Sequence, residues 1–316
     1  MAISANWPDS VDDIIGGDQA VVLGHVTPAR GVVLTPLTNF GIRDRRSGSM
    51  TPLNSSVGMW RKLQRLRESP RVAIAYHTRT HGFSERPEYV LVQGRASLSS
   101  VHDTGWLQNH REAWERFAGT RDVGTLWEWW LRPYHRRVGI DLDVERITVW
   151  PTLDCEGPPT VYGAPAADLS LAPQSRPKGG TAPRVNHARA ARRISLRPNR
   201  LLGWVGSDGF PQIVPVDIGG VDEDGFVVRS TVDLPMGGRR AGLAAHSFAR
   251  YTHGQHQHKY TGWLSVNGPR AVYAPHTEAG YFLPPSRTAY RIGAGYVTRR
   301  GLREARRAGF LDGERD

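Results

Sequence analysis

The histidines are the side chains whose type and spacing suggest chemistry most directly. Five of them form the densest histidine region of the chain: His246, His253, His256, His258 and His276. Neutral imidazole is the commonest protein ligand of zinc, and a strand that carries His256 and His258 would point both rings to one side. No Asp or Glu lies between His246 and Asn267, however, and the spacing is not that of H-E-x-x-H. We therefore predict no metal site and interpret these histidines as polar residues of exposed loops.

The composition limits the compartments and cofactors that the chain can have. Of 316 residues, 39% are hydrophobic and 22% are charged, which is enough for two domains with a core in each. The single cysteine, Cys155, cannot form an internal disulfide, and a lone thiol excludes thiolate zinc sites and iron–sulfur clusters. No apolar run approaches the roughly 20 residues of a membrane helix, and the first residues lack the pattern of a secretory signal. We therefore expect a cytoplasmic protein with no membrane partner.

The strong positive charge does not by itself indicate nucleic acid. The net charge is +11, and of the 41 basic residues only Lys62, Lys178 and Lys259 are lysines. Phosphate backbones are bound by clustered basic residues, and single strands are bound by basic stretches that contain aromatic side chains. Acidic residues are interspersed among the arginines of this chain, and no such stretch occurs in it. We expect a solvated basic surface, a small-molecule substrate and no nucleic acid partner.

A stretch rich in Pro, Ser, Gly and Arg divides the chain into two parts. Residues 166–189 contain almost no periodic apolar positions, which is typical of an exposed connector. We therefore predict a first domain at 1–165 and a second at 190–316. Helical spacing of Trp and Leu predicts an insertion at about 103–135 in the first domain, and the second domain is expected to end in a basic helix.

Local patterns predict how the first domain begins. The β-branched runs Ala20 to Val26 and Gly31 to Leu37 are separated by a short turn that contains proline, which indicates a β-hairpin. A helix is predicted over Val57 to Glu68, because its apolar residues fall on one stripe. Ser55 and Ser56 precede it as candidate N-caps.

The hairpin pattern starts again after the connector. With one constant offset, Leu23 and Gly24 are matched by Leu202 and Gly203, and the match continues without a gap through the second strand. Two unrelated hairpins of similar length could also align in this way. We favour an internal duplication of a small β-barrel, because antiparallel closure would hide the strand edges of each copy.

Four segments of the first domain occur in the order of a known family's motifs. They are Arg30-Gly31-Val32-Val33-Leu34-Thr35, Lys62 within RKLQRLRESP, the strand VAIAY, and a strand that ends in Val92-Gln93-Gly94. In this region the chain resembles the pyridoxamine 5′-phosphate oxidase-like family of split β-barrel flavin-binding proteins, which includes flavin- and deazaflavin-dependent reductases. The resemblance implies a mainly β fold with helices, an α+β arrangement of tandem split β-barrels of the FMN-binding type.

Three positions depart from the family's pattern. Thr35 stands where the oxidase has a lysine, Trp60 stands where a serine precedes the Arg-Lys pair, and Gln93 stands where a glutamate is usual. The Arg-x-His motif by which the oxidase contacts its substrate is not recognisable near the C-terminus. We therefore expect the fold and the cofactor class of the family without the vitamin B6 reaction.

The resemblance also implies where the cofactor binds. Arg30 and Lys62 would hold the terminal phosphate of a flavin mononucleotide, and the helix start near Ser55 and Ser56 would add N–H donors. The flavin ring would lie against the strand from Val32, and Gln93 would reach it as an amide donor and acceptor. The expected cofactor-binding residues are Arg30, Val32, Val33, Leu34, Thr35, Thr51, Ser55, Ser56, Lys62, Gln93, Arg239 and Arg240.

The second domain is expected to assist the first. Arg239 and Arg240, in the segment GGRRAGLAAHSF, are predicted to open a helix equivalent to that of Lys62 and to bind a second phosphate or reach the first. The resemblance implies that the two barrels pair within the chain with the cofactor at their interface, and a homodimer is left open beside this.

These expectations lead to a predicted activity. The chain would be an oxidoreductase that transfers a hydride between FMN, or a deazaflavin such as coenzyme F-420, and an unidentified small molecule. Because the hydride chemistry belongs to the cofactor, no side chain is assigned as a catalytic acid or base. The alternative is a carrier or sensor that holds a flavin, a deazaflavin or haem without turnover, since split barrels also carry haem on an axial histidine.

Overall fold

The first half of the chain builds one antiparallel sheet together with several helices. The computed structural model describes residues 6–103, 105–120, 124–165, 170–252 and 254–311. The elements of this half are α1 (Asp9–Gly17), β1 (Ala20–Val26), β2 (Val32–Thr38), β3 (Ile42–Asp44), β4 (Ser49–Ser56), a 3-10 turn (Val57–Met59), α2 (Trp60–Glu68), β5 (Arg71–Tyr76), β6 (Tyr89–Leu98), α3 (Trp106–Asn109), α4 (Arg111–Ala118), α5 (Thr125–His135), β7 (Arg137–Trp150) and β8 (Thr160–Gly163).

The second half builds another antiparallel sheet. Its elements are α6 (His187–Ser195), β9 (Asn199–Val205), β10 (Pro211–Pro215), β11 (Asp217–Asp222), β12 (Gly225–Arg229), β13 (Gly237–Ser247), a 3-10 turn (Arg250–Thr252), β14 (His256–Asn267), β15 (Arg270–Phe282) and α7 (Arg287–Arg307). α6 starts within the stretch predicted to be a connector, where Asn186 caps it by accepting a hydrogen bond from the backbone N–H of Arg189.

The two sheets have the same strand order. The first runs β2-β1-β5-β6-β7-β4-β3, with β8 added beside β7, and the second runs β10-β9-β13-β14-β15-β12-β11. Matching β1–β7 with β9–β15 in sequence makes the two orders identical. Each sheet curves around its own apolar core, the first containing Leu23 and Ile74 and the second containing Leu202 and Leu243. This arrangement confirms the predicted fold of tandem split β-barrels with helices.

The strand registers extend the predicted duplication beyond the hairpin. Gly24 on β1 pairs with Ala73 on β5, and its counterpart Gly203 on β9 pairs with Gly242 on β13. Continuing along β5 and β13 aligns the segment RVAIAYHT, from Arg71, with RAGLAAHS, from Arg240. His77 is thereby matched with His246, 169 positions later.

The helical connection between β4 and β5 has no counterpart in the second barrel. The 3-10 turn and α2 occupy the connection between β4 and β5, whereas only residues 230–236 connect β12 to β13. Arg239 and Arg240 were expected to open a helix at this place, and this prediction is wrong. Both residues lie on β13 instead, because the shorter connection leaves no room for a helix.

The barrels pack against each other through a third apolar core. Val22, Val32 and Leu34 of the first barrel meet Ile213 and Ala244 of the second in this cluster. The backbones approach so closely that a Cβ on Gly242 would lie 2.2 Å from the carbonyl oxygen of Val32. A glycine is therefore required at this point of the interface.

The helices complete the architecture. α5 and α7 pack against each other, and Trp130 on α5 donates a hydrogen bond of 3.0 Å to the carbonyl oxygen of Arg291 on α7. The basic segment from Arg299 to Arg307, predicted to be a short helix, is the second half of α7. No helix in the part of the chain that the structure describes is long and apolar enough to cross a membrane.

Candidate functional site

A cavity of about 550 Å³ lies between the two barrels. The first barrel contributes the C-terminal half of β2, the end of β4, the 3-10 turn and α2 to its walls, and the second contributes the start of β14 and the end of β15. α4, α5 and α7 line the remaining side. We call this space the inter-barrel cavity. Its volume is in the range of small-molecule sites, which is about 300–1,000 Å³.

Basic side chains from both barrels meet at one end of the cavity. They are His25 on β1, Lys62 and Arg65 on α2, Arg137 on β7 and Lys259 on β14. α2 presents Lys62 and Arg65 to the cavity because Leu63 and Leu66 anchor its other face in the first barrel. We call these five residues the basic cluster.

The residues of the basic cluster lower one another's pKa values. Burial, reinforced by the charges of Lys259 and Arg137, lowers the pKa of Lys62 to about 7. Burial and the charge of Arg65 also lower the pKa of Lys259. The pKa of His25 falls to about 4, mainly through burial and then through the neighbouring charges of the cluster. An anion that entered this end of the cavity would relieve the mutual repulsion.

Acidic side chains do little to neutralise the cluster. Among the described residues that line the cavity, Glu304 on α7 is the one carboxylate. Its oxygens lie 3.6 Å from a guanidinium nitrogen of Arg61 and 3.2 Å from one of Arg300, so its charge is already shared with two other cations. The cluster therefore has an excess of positive charge that no described carboxylate offsets.

Several buried polar atoms of the cavity wall have no hydrogen-bond partner among the residues that the structure describes. Neither ring nitrogen of His25 is bonded to a described residue, although His25 is only 1% exposed. The same holds for Nδ2 of Asn54 and for Nε and Nη2 of Arg137. Buried polar groups are nearly always satisfied in native proteins, and leaving one unsatisfied costs about 1–3 kcal/mol. These groups therefore favour a polar ligand in the cavity.

Aromatic side chains form the wall next to the basic cluster. The guanidinium of Arg137 lies 3.9 Å from the ring centre of Tyr134 and 4.6 Å from that of Trp114. The hydroxyl groups of Tyr134 on α5 and Tyr290 on α7 are hydrogen-bonded to each other, and burial raises the pKa of Tyr290. Tyr281 on β15 also lines the cavity, and burial raises its pKa as well. This wall suits a planar, largely apolar ring.

Five of the sequence-predicted residues line the cavity. Val33 and Thr35 face it from β2, Ser55 and Ser56 from the end of β4, and Lys62 from α2. Ser56 also acts as the predicted cap, since its hydroxyl oxygen accepts a hydrogen bond of 3.3 Å from the backbone N–H of Gly58.

Successive side chains of β2 point to opposite faces of the sheet, so the other predicted residues of this strand face away from the cavity. Val32 and Leu34 belong to the core between the barrels. Arg30 lies in the turn before β2, at the opposite end of that strand from the cavity, and its exposed side chain does not line the cavity. The prediction that Arg30 and Lys62 meet is therefore wrong, and Lys259 of the second barrel is the residue that faces Lys62 instead.

The remaining predicted residues have partners elsewhere. Gln93 is buried, donates a hydrogen bond of 2.8 Å to the carbonyl oxygen of Pro211, and accepts one of 2.6 Å from Arg146. Thr51 donates to a carboxylate oxygen of Asp141 at 2.5 Å. None of these residues lines the cavity.

The two arginines on β13 are also bonded outside the cavity. The buried guanidinium of Arg239 donates to the carbonyl oxygens of Leu171 and Met236. That of Arg240 donates to the amide oxygen of Gln174 and the carbonyl oxygen of Ser175. The bonds to Leu171, Gln174 and Ser175 join β13 to the segment that precedes the second barrel.

The histidines were expected on exposed loops, and this prediction is wrong for the described ones, which lie on β13, β14 and β15. His246 bonds to His77, and the rings of His256 and His258 lie 5.1 Å apart on β14. His276 is on β15 beside the carbonyl oxygen of Thr181, and His253 lies outside the described residues. Across the ranges given above, no group of three His, Cys, Asp or Glu side chains could hold a metal ion.

Sequence reasoning missed four members of the basic cluster: His25, Arg65, Arg137 and Lys259. One signal could have found Lys259. The chain has three lysines among 41 basic residues, and two of the three, Lys62 and Lys259, meet in the cavity. A residue type that a chain uses so rarely is informative where two copies converge.

The chain was also compared with known proteins. No family model and no curated protein matches it. Solved structures do match, and three of them are described here by identity, coverage and TM-score. A conserved hypothetical protein of Mycobacterium tuberculosis is 20% identical, with a TM-score of 0.34 over 48% of this chain and 88% of its own.

The other two structures match a larger part of this chain. A pyridoxamine 5′-phosphate oxidase-related, FMN-binding protein of Nostoc punctiforme is 12% identical, with a TM-score of 0.28 over 63% of this chain and 88% of its own. A heme-binding protein of Mycobacterium smegmatis is 13% identical, with a TM-score of 0.33 over 94% of this chain and 99% of its own. All three TM-scores lie below 0.5, so the fold of this chain is established by its own strand order.

Proposed function

We propose that the chain binds FMN or a deazaflavin in the inter-barrel cavity and transfers a hydride between this cofactor and a small molecule. One observation carries the proposal. Five basic groups from both barrels converge at one end of a cavity whose adjoining wall is aromatic, which matches a ligand with an anionic tail and a planar ring.

The residues present fit such a cofactor. A phosphate needs converging cationic and N–H donors, and the amines of Lys62 and Lys259 together with the unpaired nitrogens of Arg137 would supply them. A ring would pack against Tyr134, Tyr281 and Trp114. Glu304, the one carboxylate among the described lining residues, is engaged by two arginines and does not oppose an anion.

The protein's contribution would be to bind, orient and enclose. The bound cofactor itself supplies the hydride chemistry. Lys62 and Lys259 would fix the anionic end, and Gln257 keeps β14 beside β2 by donating a hydrogen bond of 3.1 Å to the carbonyl oxygen of Pro36. α5 and α7, joined through Tyr134 and Tyr290, would exclude water from the ring. No side chain is assigned a proton-transfer role.

A haem-binding carrier is the second candidate, and His25 favours it. This imidazole lines the cavity, and neither of its nitrogens is bonded within the described part of the chain. Its low pKa keeps it neutral, which is the form that coordinates a metal. In that case Lys62 and Lys259 would face the carboxylates of the porphyrin.

Titration of the full-length protein separates these candidates. The purified protein is mixed in turn with FMN, coenzyme F-420 and haemin, and the visible spectrum and affinity are measured for each. We expect tight binding of FMN or F-420 and bleaching of the bound chromophore by a chemical or nicotinamide reductant. Tight binding of haemin alone, lost in a His25→Phe variant, would favour the carrier, and binding of none of the three would contradict both candidates.

A further inference from the structure

We propose that the outer faces of α5 and α7 dock the protein on the surface of an anionic lipid bilayer. These faces carry exposed apolar side chains, which do not line the inter-barrel cavity. The inference is therefore independent of the proposed function. It differs from the expectation of no membrane partner, because that expectation concerned a segment that spans a bilayer, whereas docking needs only a surface.

Large apolar side chains are concentrated on the outer faces of these two helices. Ten such side chains are exposed in the part of the chain that the structure describes, and five of the ten lie on α5 and α7. The other five are scattered over separate segments. A concentration of exposed apolar side chains marks an interaction site. We call the five residues, together with the arginines of the same two helices, the α5–α7 surface: they are Leu126, Trp129, Ile292, Tyr296 and Val297.

The exposed side chains of the two helices form one surface because α5 and α7 lie side by side. The guanidinium of Arg299 lies 4.9 Å from the ring centre of Trp129 and donates a hydrogen bond of 2.9 Å to the carbonyl oxygen of the same residue. Ile292, Tyr296 and Arg299 follow one another at helical spacing and share a face of α7. Trp129 of α5 therefore borders the apolar stripe of α7.

The same two helices are strongly basic. They contain eight arginines and two glutamates, and residues 287–303 of α7 include no acid. One of the two glutamates, Glu304, is already engaged by Arg61 and Arg300. Arg300 and Arg303 are exposed and follow Tyr296 by one and two helical turns. A surface of this charge repels a second copy of itself and attracts the phosphates of anionic lipid headgroups.

The mixture of aromatic and arginine side chains favours a bilayer over an acidic protein as the partner. Interfaces between proteins have a core from which charged residues are depleted. On the α5–α7 surface, in contrast, Arg299 lies over the ring of Trp129, and Arg300 is one turn from Tyr296. The headgroup region of a bilayer accommodates both kinds of side chain together, since indole and phenol rings lie at this level and guanidinium groups reach the phosphates.

Co-sedimentation of the full-length protein with vesicles tests the proposal. Vesicles of phosphatidylcholine alone are compared with vesicles that contain about 30% phosphatidylglycerol. We expect the protein to bind the anionic vesicles at least roughly tenfold more tightly, and to bind them more weakly as salt is added. Equal binding to both kinds of vesicle, or binding to neither, would overturn the proposal.

Two double variants separate this surface from the net charge of the protein. Arg300→Gln with Arg303→Gln should weaken binding to anionic vesicles roughly tenfold. Arg189→Gln with Arg192→Gln removes the same charge from exposed positions on α6, so it should bind within about twofold of the wild type. If the two double variants lost the same affinity, the attraction would come from the overall charge and the proposal would be wrong.

A fluorescent label shows directly which face contacts the lipid. The single cysteine, Cys155, is buried, so a thiol-reactive, environment-sensitive fluorophore can be placed on an introduced cysteine. The label on Ile292→Cys should shift to shorter wavelength when anionic vesicles are added, because it enters a less polar medium. The label on Leu196→Cys, an exposed position beyond α6, should not shift. A shift at Leu196 without one at Ile292 would contradict the proposed orientation.

Two further results would assign the α5–α7 surface to a different partner. The first is binding to polyglutamate or to double-stranded DNA without binding to anionic vesicles. The second is a dimer in solution that a Trp129→Ser variant dissociates, as measured by light scattering. Either result would overturn the bilayer proposal, whereas a monomer that binds anionic vesicles and loses affinity on Trp129→Ser would support it.

Discussion

His77 and His246 occupy matching positions in the two barrels, and their Nε2 atoms lie 2.8 Å apart. Nδ1 of His77 lies 3.2 Å from the carbonyl oxygen of Ala75, which can only accept, so this nitrogen carries the proton. In a neutral ring Nε2 of His77 is then the acceptor, and Nε2 of His246 donates to it. Matching positions of the two barrels therefore meet each other across the interface.

This histidine pair should make the protein sensitive to mild acid. Burial lowers the pKa of His77 to about 4 and that of His246 well below its usual value, so both are neutral when folded. Unfolded histidines titrate near 6.5, so below that pH the unfolded chain binds more protons and stability is lost as the pH falls. We expect His77→Gln to reduce the loss of unfolding free energy between pH 7 and pH 5 by about 2 kcal/mol.

Urea denaturation at the two pH values provides the measurement. His102→Gln is the matched control, since this exposed histidine should leave the pH dependence unchanged. A His77→Gln variant whose stability falls with pH as steeply as that of the wild type would show that the pair is not the acid-sensitive element.

The cavity should depend on both barrels for its affinity. Lys259→Met on β14 removes a charge that faces Lys62 on α2, and losing a charged hydrogen bond costs about 1.5–3 kcal/mol. We therefore expect FMN to bind roughly 10- to 100-fold more weakly, as measured by fluorescence quenching. The double variant with Lys62→Met should be weaker than either single variant.

Arg30→Ala is the informative comparison for this experiment. It removes a positive charge from the same barrel as Lys62, but Arg30 does not line the cavity. Its FMN affinity should match that of the wild type within about twofold, because surface charges contribute little. A loss as large as that of Lys259→Met would restore the phosphate site expected from the sequence.

The helices that cover the cavity should slow the release of the cofactor. Tyr134→Phe removes the hydroxyl through which α5 is bonded to Tyr290 on α7. Losing one hydrogen bond of about 1 kcal/mol should increase the dissociation rate of FMN roughly fivefold in stopped-flow displacement. Tyr296→Phe, at a side chain 58% exposed on α7, should leave that rate unchanged.

The parts of the fold set by local sequence were predictable. The β-branched runs of β1 and β2 and the cap at Ser56 depend on neighbouring residues, and each formed where its pattern indicated. The recurrence of the hairpin was also visible. A stronger internal match, RVAIAYHT with RAGLAAHS, was overlooked because the second copy has a shorter connection before it, which changes the offset.

The part of the candidate site that the first barrel supplies could be predicted from the sequence, and the part that the second barrel supplies could not. Lys62 and Ser55 follow from a motif within the first barrel, whereas Lys259 reaches the cavity from the other half of the chain. Its position depends on how β14 lies against β2, and packing between barrels leaves no local pattern. Gln93 was expected at the cofactor but does not line the cavity, for the same reason. The carbonyl oxygen that accepts its amide hydrogen bond belongs to Pro211 of the other barrel.

The interface between the barrels should tolerate no side chain at Gly242. A Cβ there would lie 2.2 Å from the carbonyl oxygen of Val32, and a backbone atom cannot move aside as the end of a side chain can. We expect Gly242→Ala to lower the unfolding free energy by about 1–3 kcal/mol, measured by chemical denaturation. It should also weaken FMN binding, because β2 and β14 would separate across the cavity.

Gly293→Ala is the matched control, because it should not lower the unfolding free energy. This glycine lies in α7, and nothing lies within 4 Å of the place that its Cβ would take. Alanine favours a helix over glycine by about 1 kcal/mol, so this variant should be as stable as the wild type or more so. If Gly242→Ala were as stable as Gly293→Ala, the close contact between β13 and β2 could not be what holds the barrels together.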